Sequence, residues 1–158
     1  MTLLTSSVAT PIGPFSFTTR DGRLIEATFG STRKLHARGR VVKSIPTITS
    51  ALRAYFQGEH DALERIPVEL SETAYRTRVL RTMRKIPAGK TMSYKELARR
   101  SGSENASRAV GSTCASNRIP LIIPCHRVIP SDGSIGAYGY GMKKKQWLLE
   151  FEGAISRS

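Results

Sequence analysis

Apolar and polar residues alternate twice near the start of the chain. Phe15 and Phe17 stand among polar neighbours, Asp21-Gly22 follows, and Ile25, Ala27 and Phe29 resume the alternation. A period of two on both sides of an Asp-Gly pair predicts a β-hairpin over residues 11–30. Residues 31–48 are basic and show no periodicity. Ser50 is placed to cap a short helix with Leu52, Tyr55 and Phe56 inward, ended by Gly58.

From Tyr75 the period lengthens. Tyr75, Val79, Leu80 and Met83 recur at helical spacing as far as Pro87-Ala88-Gly89. Ser93-Tyr94-Lys95-Glu96 has the form of a capping box and opens a helix running to Arg100. Gly102 breaks it. A further helix is expected from Ala106 to Ser116, with Ala106, Ala109, Val110, Thr113 and Cys114 on its packed face. Two short helices about a glycine-containing turn make a helix-turn-helix pattern. A last helix is expected over Lys143–Glu152, with Trp147, Leu148 and Phe151 apolar and Gly153 as its C-cap. The fold expected is α+β. A small α/β unit over 1–67 (hairpin or sheet plus helix) precedes a mainly helical, winged-helix-like unit over 68–158.

Composition narrows the class. Hydrophobic residues are 39% of the 158, enough for a core, and no apolar run approaches the roughly 18 residues of a membrane span. Met1–Thr10 has no basic residue ahead of an apolar stretch, so no secretory signal is expected, and the protein is read as soluble and intracellular. Two cysteines, Cys114 and Cys125, make no disulfide framework, and with His36 and His60 isolated no zinc-like spacing exists. Neither a metal nor a cofactor is expected.

Charge points to a partner. The net charge is +13, divided as +4 over residues 1–67 and +9 over 68–158. An excess this large suits a polyanion, above all nucleic acid, bound by the second half; a generally basic enzyme surface is the alternative. On the third helix of the second half, the face opposite the packed one is Arg108, Gly111, Ser112, Ala115 and Ser116. Such small side chains admit either a DNA groove or another protein element. The last helix places Lys143, Lys144 and Lys145 at the positive end of its dipole and Glu150 and Glu152 at the negative end, each costing about 0.3–1 kcal/mol. Lysines there suit phosphate and a carboxylate there suits an imidazolium, unless the helix is simply solvated.

The run Ile119–Val128 reads Ile-Pro-Leu-Ile-Ile-Pro-Cys-His-Arg-Val. A cysteine in such a run is commonly a small buried hydrophobe. In a strand, Cys125 and His126 would point to opposite faces, so a role for His126 as base needs a bridging water or a local turn, and a third group to orient the ring.

Pro124-Cys125-His126-Arg127-Val128, with Ser131-Asp132-Gly133 and Gly136-Ala137-Tyr138, resembles the signature of the O6-alkylguanine-DNA alkyltransferases. The resemblance continues through Ile86-Pro87, Gly89, Ser93-Tyr94, Ser107–Gly111, Asn117 and Leu148-Leu149 to Glu152, and spans residues 72–153 almost without a gap. The first half matches more loosely, through Thr10–Pro14 and Tyr55-Phe56 with Gly58.

The resemblance implies direct-reversal DNA repair. Cys125 would attack the alkyl carbon of a flipped O6-alkylguanine, or of O4-alkylthymine, once per molecule. His126 would take the thiol proton through a water, Glu152 would hold His126, and the pair would lower the Cys125 pKa. Tyr94 would protonate the guanine, Arg108 would fill the hole left by the base, and Asn117 would stabilise the turn into an active-site strand. Ser93, Ser112, Ala115 and Lys143–Lys145 would meet the DNA. Tyr138, Gly139, Tyr140, Val128 and Pro120 would line the pocket. Flipping is a physical requirement, since the O6 substituent cannot reach a buried thiol from within the stack. The expected partner is duplex DNA, bound by a monomer in the cytoplasm, at the nucleoid or in a nucleus. Gly139-Tyr140 departs from the small polar residue and glycine of many members, which narrows the pocket. Cys114, on the packed face, is read as structural.

Two other readings fit parts of the chain. A non-catalytic binder of alkylated DNA typically lacks the cysteine, which is present here. A winged-helix regulator explains the charge but not the Cys-His signature or Glu152. A thiol hydrolase would require an oxyanion hole, and nothing in the sequence points to one.

Overall fold

A computed structural model describes residues 1–102 and 106–157, which form two compact units, Met1–Leu70 with Arg118–Ile122, and Ser71–Asn117 with Ile123–Ser158. The described residues are mixed α+β, with a four-stranded sheet and five α-helices. None of those helices is long and apolar enough to cross a membrane.

In the first unit, β1 (Leu3–Thr10), β2 (Gly13–Arg20) and β3 (Arg23–Phe29) form an antiparallel meander, and the short β4 (Arg40–Val41) joins β1 in parallel. The expected hairpin is β2–β3, with Asp21 and Gly22 both at positive φ in its turn. Its alternation needs one correction. The register shifts between Thr18 and Thr19, so Leu24 is buried and Ile25 only half-buried. Such a bulge adds a residue to one strand and moves the apolar positions by one. Strand β1 was not foreseen, because Leu3–Thr10 shows no sustained alternation of apolar residues.

Helix α1 spans Pro46–Phe56 and buries Ile48, Leu52 and Tyr55, whereas Phe56 is half-buried. Ser50 therefore lies inside the helix and does not cap it. Pro46 starts the helix, because its fixed φ suits the first turn and its missing N–H leaves nothing unpaired there.

In the second unit, α2 (Ala74–Arg84) packs Val79, Leu80 and Met83 inward, and Thr73 caps it by accepting from the Arg76 N–H. Helix α3 (Tyr94–Arg100) starts at Ser93, whose hydroxyl accepts from the Glu96 N–H at 3.0 Å. The Glu96 carboxylate is engaged by Arg99 and Arg100. Helix α4 (Ser107–Ala115) packs against both α2 and α3 through a narrow stripe, Val110 and Thr113. Residues 103–105, part of the expected turn between α3 and α4, lie outside the described residues. The pair β5 (Met92–Ser93) and β6 (Val128–Ile129) runs parallel, and α5 (Met142–Phe151) follows. Glu152 caps the end of α5, with Gly153 beyond it at positive φ.

Candidate active site

The expected active-site strand is absent up to Val128. Pro120 and Pro124 cannot donate to a ladder, and the chain from Cys125 to Arg127 makes one tight 3-10 turn. This turn separates the neighbouring side chains of Cys125 and His126 without strand alternation. All three of its residues are buried, and the thiol reaches a cavity of about 390 Å³.

Each wall of that cavity comes from a different element of the second unit. Tyr94 enters from the first turn of α3, Gly111, Cys114 and Ala115 from α4, and Asn117 from just beyond it. The loop from Ala137 to Tyr140 closes the remaining side, with the Tyr138 and Tyr140 rings edge to face at 5.6 Å. Two devices shape this loop. Gly136 has φ +78, and a Cβ there would lie 2.7 Å from Pro130 Cδ. The Lys145 ammonium, fully buried, donates to the Val128 carbonyl at 2.8 Å and to the Ala137 carbonyl at 3.2 Å.

The two residues that follow Cys125 in the chain belong to a buried hydrogen-bonded cluster. His126 Nε2 is 2.9 Å from Glu152 Oε2. Arg127 grips the same carboxylate with both prongs, Nε to Oε1 at 2.9 Å and Nη2 to Oε2 at 2.8 Å, while Nη1 donates to the Ile86 carbonyl at 2.7 Å. A carboxylate accepts only, so Nε2 carries the imidazole proton and Nδ1 keeps a lone pair. Nδ1 is buried and has no protein hydrogen-bond partner among the described residues. Asn117 Nδ2 donates to the Ile123 carbonyl at 2.8 Å, fastening the end of α4 to the chain entering the 3-10 turn.

The electrostatics correct one expectation. Burial pushes the Cys125 thiol up, and the Asn117 amide, the Lys145 charge and the Tyr138 hydroxyl only partly offset it. Burial likewise pushes His126 down, against the pull of Glu152. The resting pair is thus a thiol and a neutral imidazole, not the thiolate and imidazolium expected from sequence. Burial alone would raise Glu152, yet His126 and Arg127 hold its carboxyl well below the usual carboxylate range. Tyr94 is raised, first by burial and then by the two cysteines, so its hydroxyl keeps its proton.

Other expected positions are corrected too. Cys114 is half-buried in the cavity wall and not in the core, because only Val110 and Thr113 of α4 are buried. Burial first, and Cys125 next, push its thiol up to about 12. Lys145 does not belong with the DNA-facing lysines, since it is wholly buried and spent on two carbonyls. Val128 is core, paired with Met92, and Pro120 is buried in the first unit, so neither lines the cavity. Lys143, Arg108 and Ser112 are exposed, Lys144 and Ser93 are half-buried, and Ala115 is exposed at the cavity mouth. Arg127, which sequence reasoning gave no role, is the residue that the structure adds to the cluster of His126 and Glu152. Its signal was an arginine in an apolar run with a single carboxylate, Glu152, assigned to the site.

Comparison with known proteins adds the family. The family described as 6-O-methylguanine DNA methyltransferase, DNA binding domain, matches residues 74–154. The chain is 33% identical to the methylated-DNA–protein-cysteine methyltransferase of Shigella flexneri over 97% of both chains. It is 38% identical to a probable methylated-DNA–protein-cysteine methyltransferase of Acanthamoeba polyphaga mimivirus, over 70% of this chain and 74% of that one. Among solved structures, Mycobacterium tuberculosis OGT in complex with DNA matches with a TM-score of 0.81 and 31% identity, covering 94% of this chain and 92% of that one.

Proposed function

The chain belongs to the methylated-DNA–protein-cysteine methyltransferase family, and on that premise we propose that Cys125 is the residue that takes the alkyl group from O6-alkylguanine. Repair by direct reversal, with transfer to a protein cysteine, is the activity this membership carries. The observation that supports Cys125 is its position. It is a buried thiol in the wall of an open cavity, and the imidazole next to it in the chain is clamped on one nitrogen and has a lone pair on the other.

The chemistry follows from those groups. A water bridging to His126 Nδ1 carries the thiol proton to the neutral ring, which becomes imidazolium held by Glu152. The sulfur attacks the alkyl carbon, an S–C bond forms, and the C–O6 bond breaks with its electrons going to guanine. Tyr94 donates its proton to the departing base, whose developing negative charge it neutralises. The product is a thioether with no good leaving group, so each molecule turns over once.

Duplex DNA is the partner this reading requires, engaged by α3 and α4 as a helix-turn-helix in a winged-helix-like unit. Arg108, exposed on α4, fills the gap left by the extruded base, and Ser112 and Ala115 let the backbone of α4 approach the groove. Tyr138, Gly139 and Tyr140 receive the base, and Lys143 and Lys144 contact phosphate. The protein acts as a monomer. Cys125→Ser tests the assignment: serine keeps the shape but is a far poorer nucleophile, so transfer is lost while DNA binding is nearly unchanged. Substantial transfer by the serine variant, or alkylation of Cys114, would overturn it.

A further inference from the structure

The outer face of α2 carries charge that the repair reaction does not use. The helix holds four arginines and no acidic residue. Arg78, Arg81 and Lys85 fall on the side turned away from the buried stripe Val79, Leu80 and Met83. They line a cleft of about 480 Å³, which adjoins a second cleft of about 420 Å³ lined by Lys90 and Arg100. Thr82 and Lys85 are common to both, so the two form one elongated basic groove. Among the described residues, no carboxylate lines either cleft, and no residue of the groove lines the cavity of Cys125.

Part of the groove is already held in place. Arg78 Nε donates to the Ser101 carbonyl at 3.0 Å, and its guanidinium lies 5.5 Å from the Tyr75 ring. Arg100 is bound by Glu96 at 2.7 Å, which lies outside the groove and partly neutralises it. Along the helix axis, Arg78, Arg81 and Lys85 rise by about 4.5 Å and then about 6 Å. A row of cations at such intervals suits the successive phosphates of a strand better than it suits a compact anion.

We propose that this groove is a second DNA site, which takes the sugar-phosphate backbone of a duplex other than the one engaged by α4. The proposal rests on the reading of the chain as a DNA alkyltransferase. It predicts that one protein molecule bridges two duplexes at low salt without reading the sequence of the second. The second duplex is held by phosphate contacts alone, so its affinity falls steeply with salt, by about 0.9 in log–log slope for each phosphate neutralised.

The test uses the full chain with an excess of a short duplex carrying one O6-methylguanine, at low ionic strength. Sedimentation counts duplexes per protein, and peptide mass mapping reads methylation at Cys125. The wild type takes two duplexes. The variant Arg78→Gln/Arg81→Gln/Lys85→Gln/Lys90→Gln takes one and is still methylated. Should that variant fail to fold, Arg81→Gln/Lys85→Gln replaces it, with a second-step salt slope flatter by about two contacts. A wild type saturating at one duplex, a variant still taking two, or an unchanged second-step slope overturns the proposal. Failure of the wild type to bind any duplex or to be methylated would instead overturn the functional reading.

Discussion

The carboxylate of Glu152 serves two donors, the Arg127 guanidinium and the His126 imidazole, and the balance between them sets how His126 behaves. Arg127 and His126 share the same Oε2, and both are buried. Removing one partner of a buried charge pair costs about 3–5 kcal/mol, so Arg127→Met should destabilise the protein strongly even though arginine touches no substrate. Glu152→Gln leaves the Arg127 charge unpaired and withdraws the one group that raises the His126 pKa. Neutral imidazole is the base. In the wild type its lowered pKa therefore keeps the rate up as pH falls to about the ordinary histidine value, 6.5. Toward alkaline pH the rate rises as the raised Cys125 thiol ionises without help. In Glu152→Gln the acid limb should move to lower pH while the maximal rate drops, because the imidazolium formed in the reaction loses its partner. A pH–rate profile of single-turnover transfer checks this, and an acid limb that does not move removes Glu152 from the relay. The sequence alone marked Cys125, His126 and Glu152 as candidates, through a signature and a misplaced helix charge, and the contact between His126 and Glu152 is present. The sequence did not show that Arg127 competes for the same carboxylate, since that depends on a 3-10 turn placing two adjacent donors on one acceptor.

Helices with strong periodicity were legible almost to the residue. The second-unit helices follow their patterns because caps such as Ser93 and stops such as Gly102 are local. The start of α1 and the strand β1 were not legible, since what holds them is pairing and packing with distant segments. The loop delivering Tyr138 is a third case. Its form rests on Gly136, where a side chain would clash with Pro130, and on a lysine that charge patterning had assigned to DNA. Lys145→Met keeps the length of the stem and removes both hydrogen bonds. The two carbonyls lose a charged donor, each such bond contributing about 1.5–3 kcal/mol. The loop should loosen, so transfer slows at saturating DNA while affinity for unmodified duplex stays within about twofold, the range expected when no phosphate contact is lost. Stopped-flow transfer beside a binding titration separates the two effects. A variant that binds DNA weakly but transfers at the wild-type rate once saturated would mean that Lys145 is a phosphate contact after all.

At the scale of the whole molecule, the uneven charge has a physical division of labour. The second unit gathers the cavity, the α4 face and the basic groove of α2, and it holds most of the excess positive charge. The first unit is built on a sheet with a core of Phe15, Phe17, Leu24 and Phe29 and lends the segment Arg118–Ile122 a place to pack. After that segment the chain returns to the second unit at Ile123, two residues before Cys125. The central claim is that this chain consumes itself, one alkyl group for each molecule, on one particular sulfur. Intact-protein mass spectrometry after incubation with a duplex containing O6-methylguanine, followed by peptide mapping, tests it most directly. Each molecule should gain one methyl group, located on Cys125, with no further gain however large the excess of substrate. An unchanged mass with guanine unrepaired, repeated turnover without modification, or a methyl group on Cys114 would contradict it.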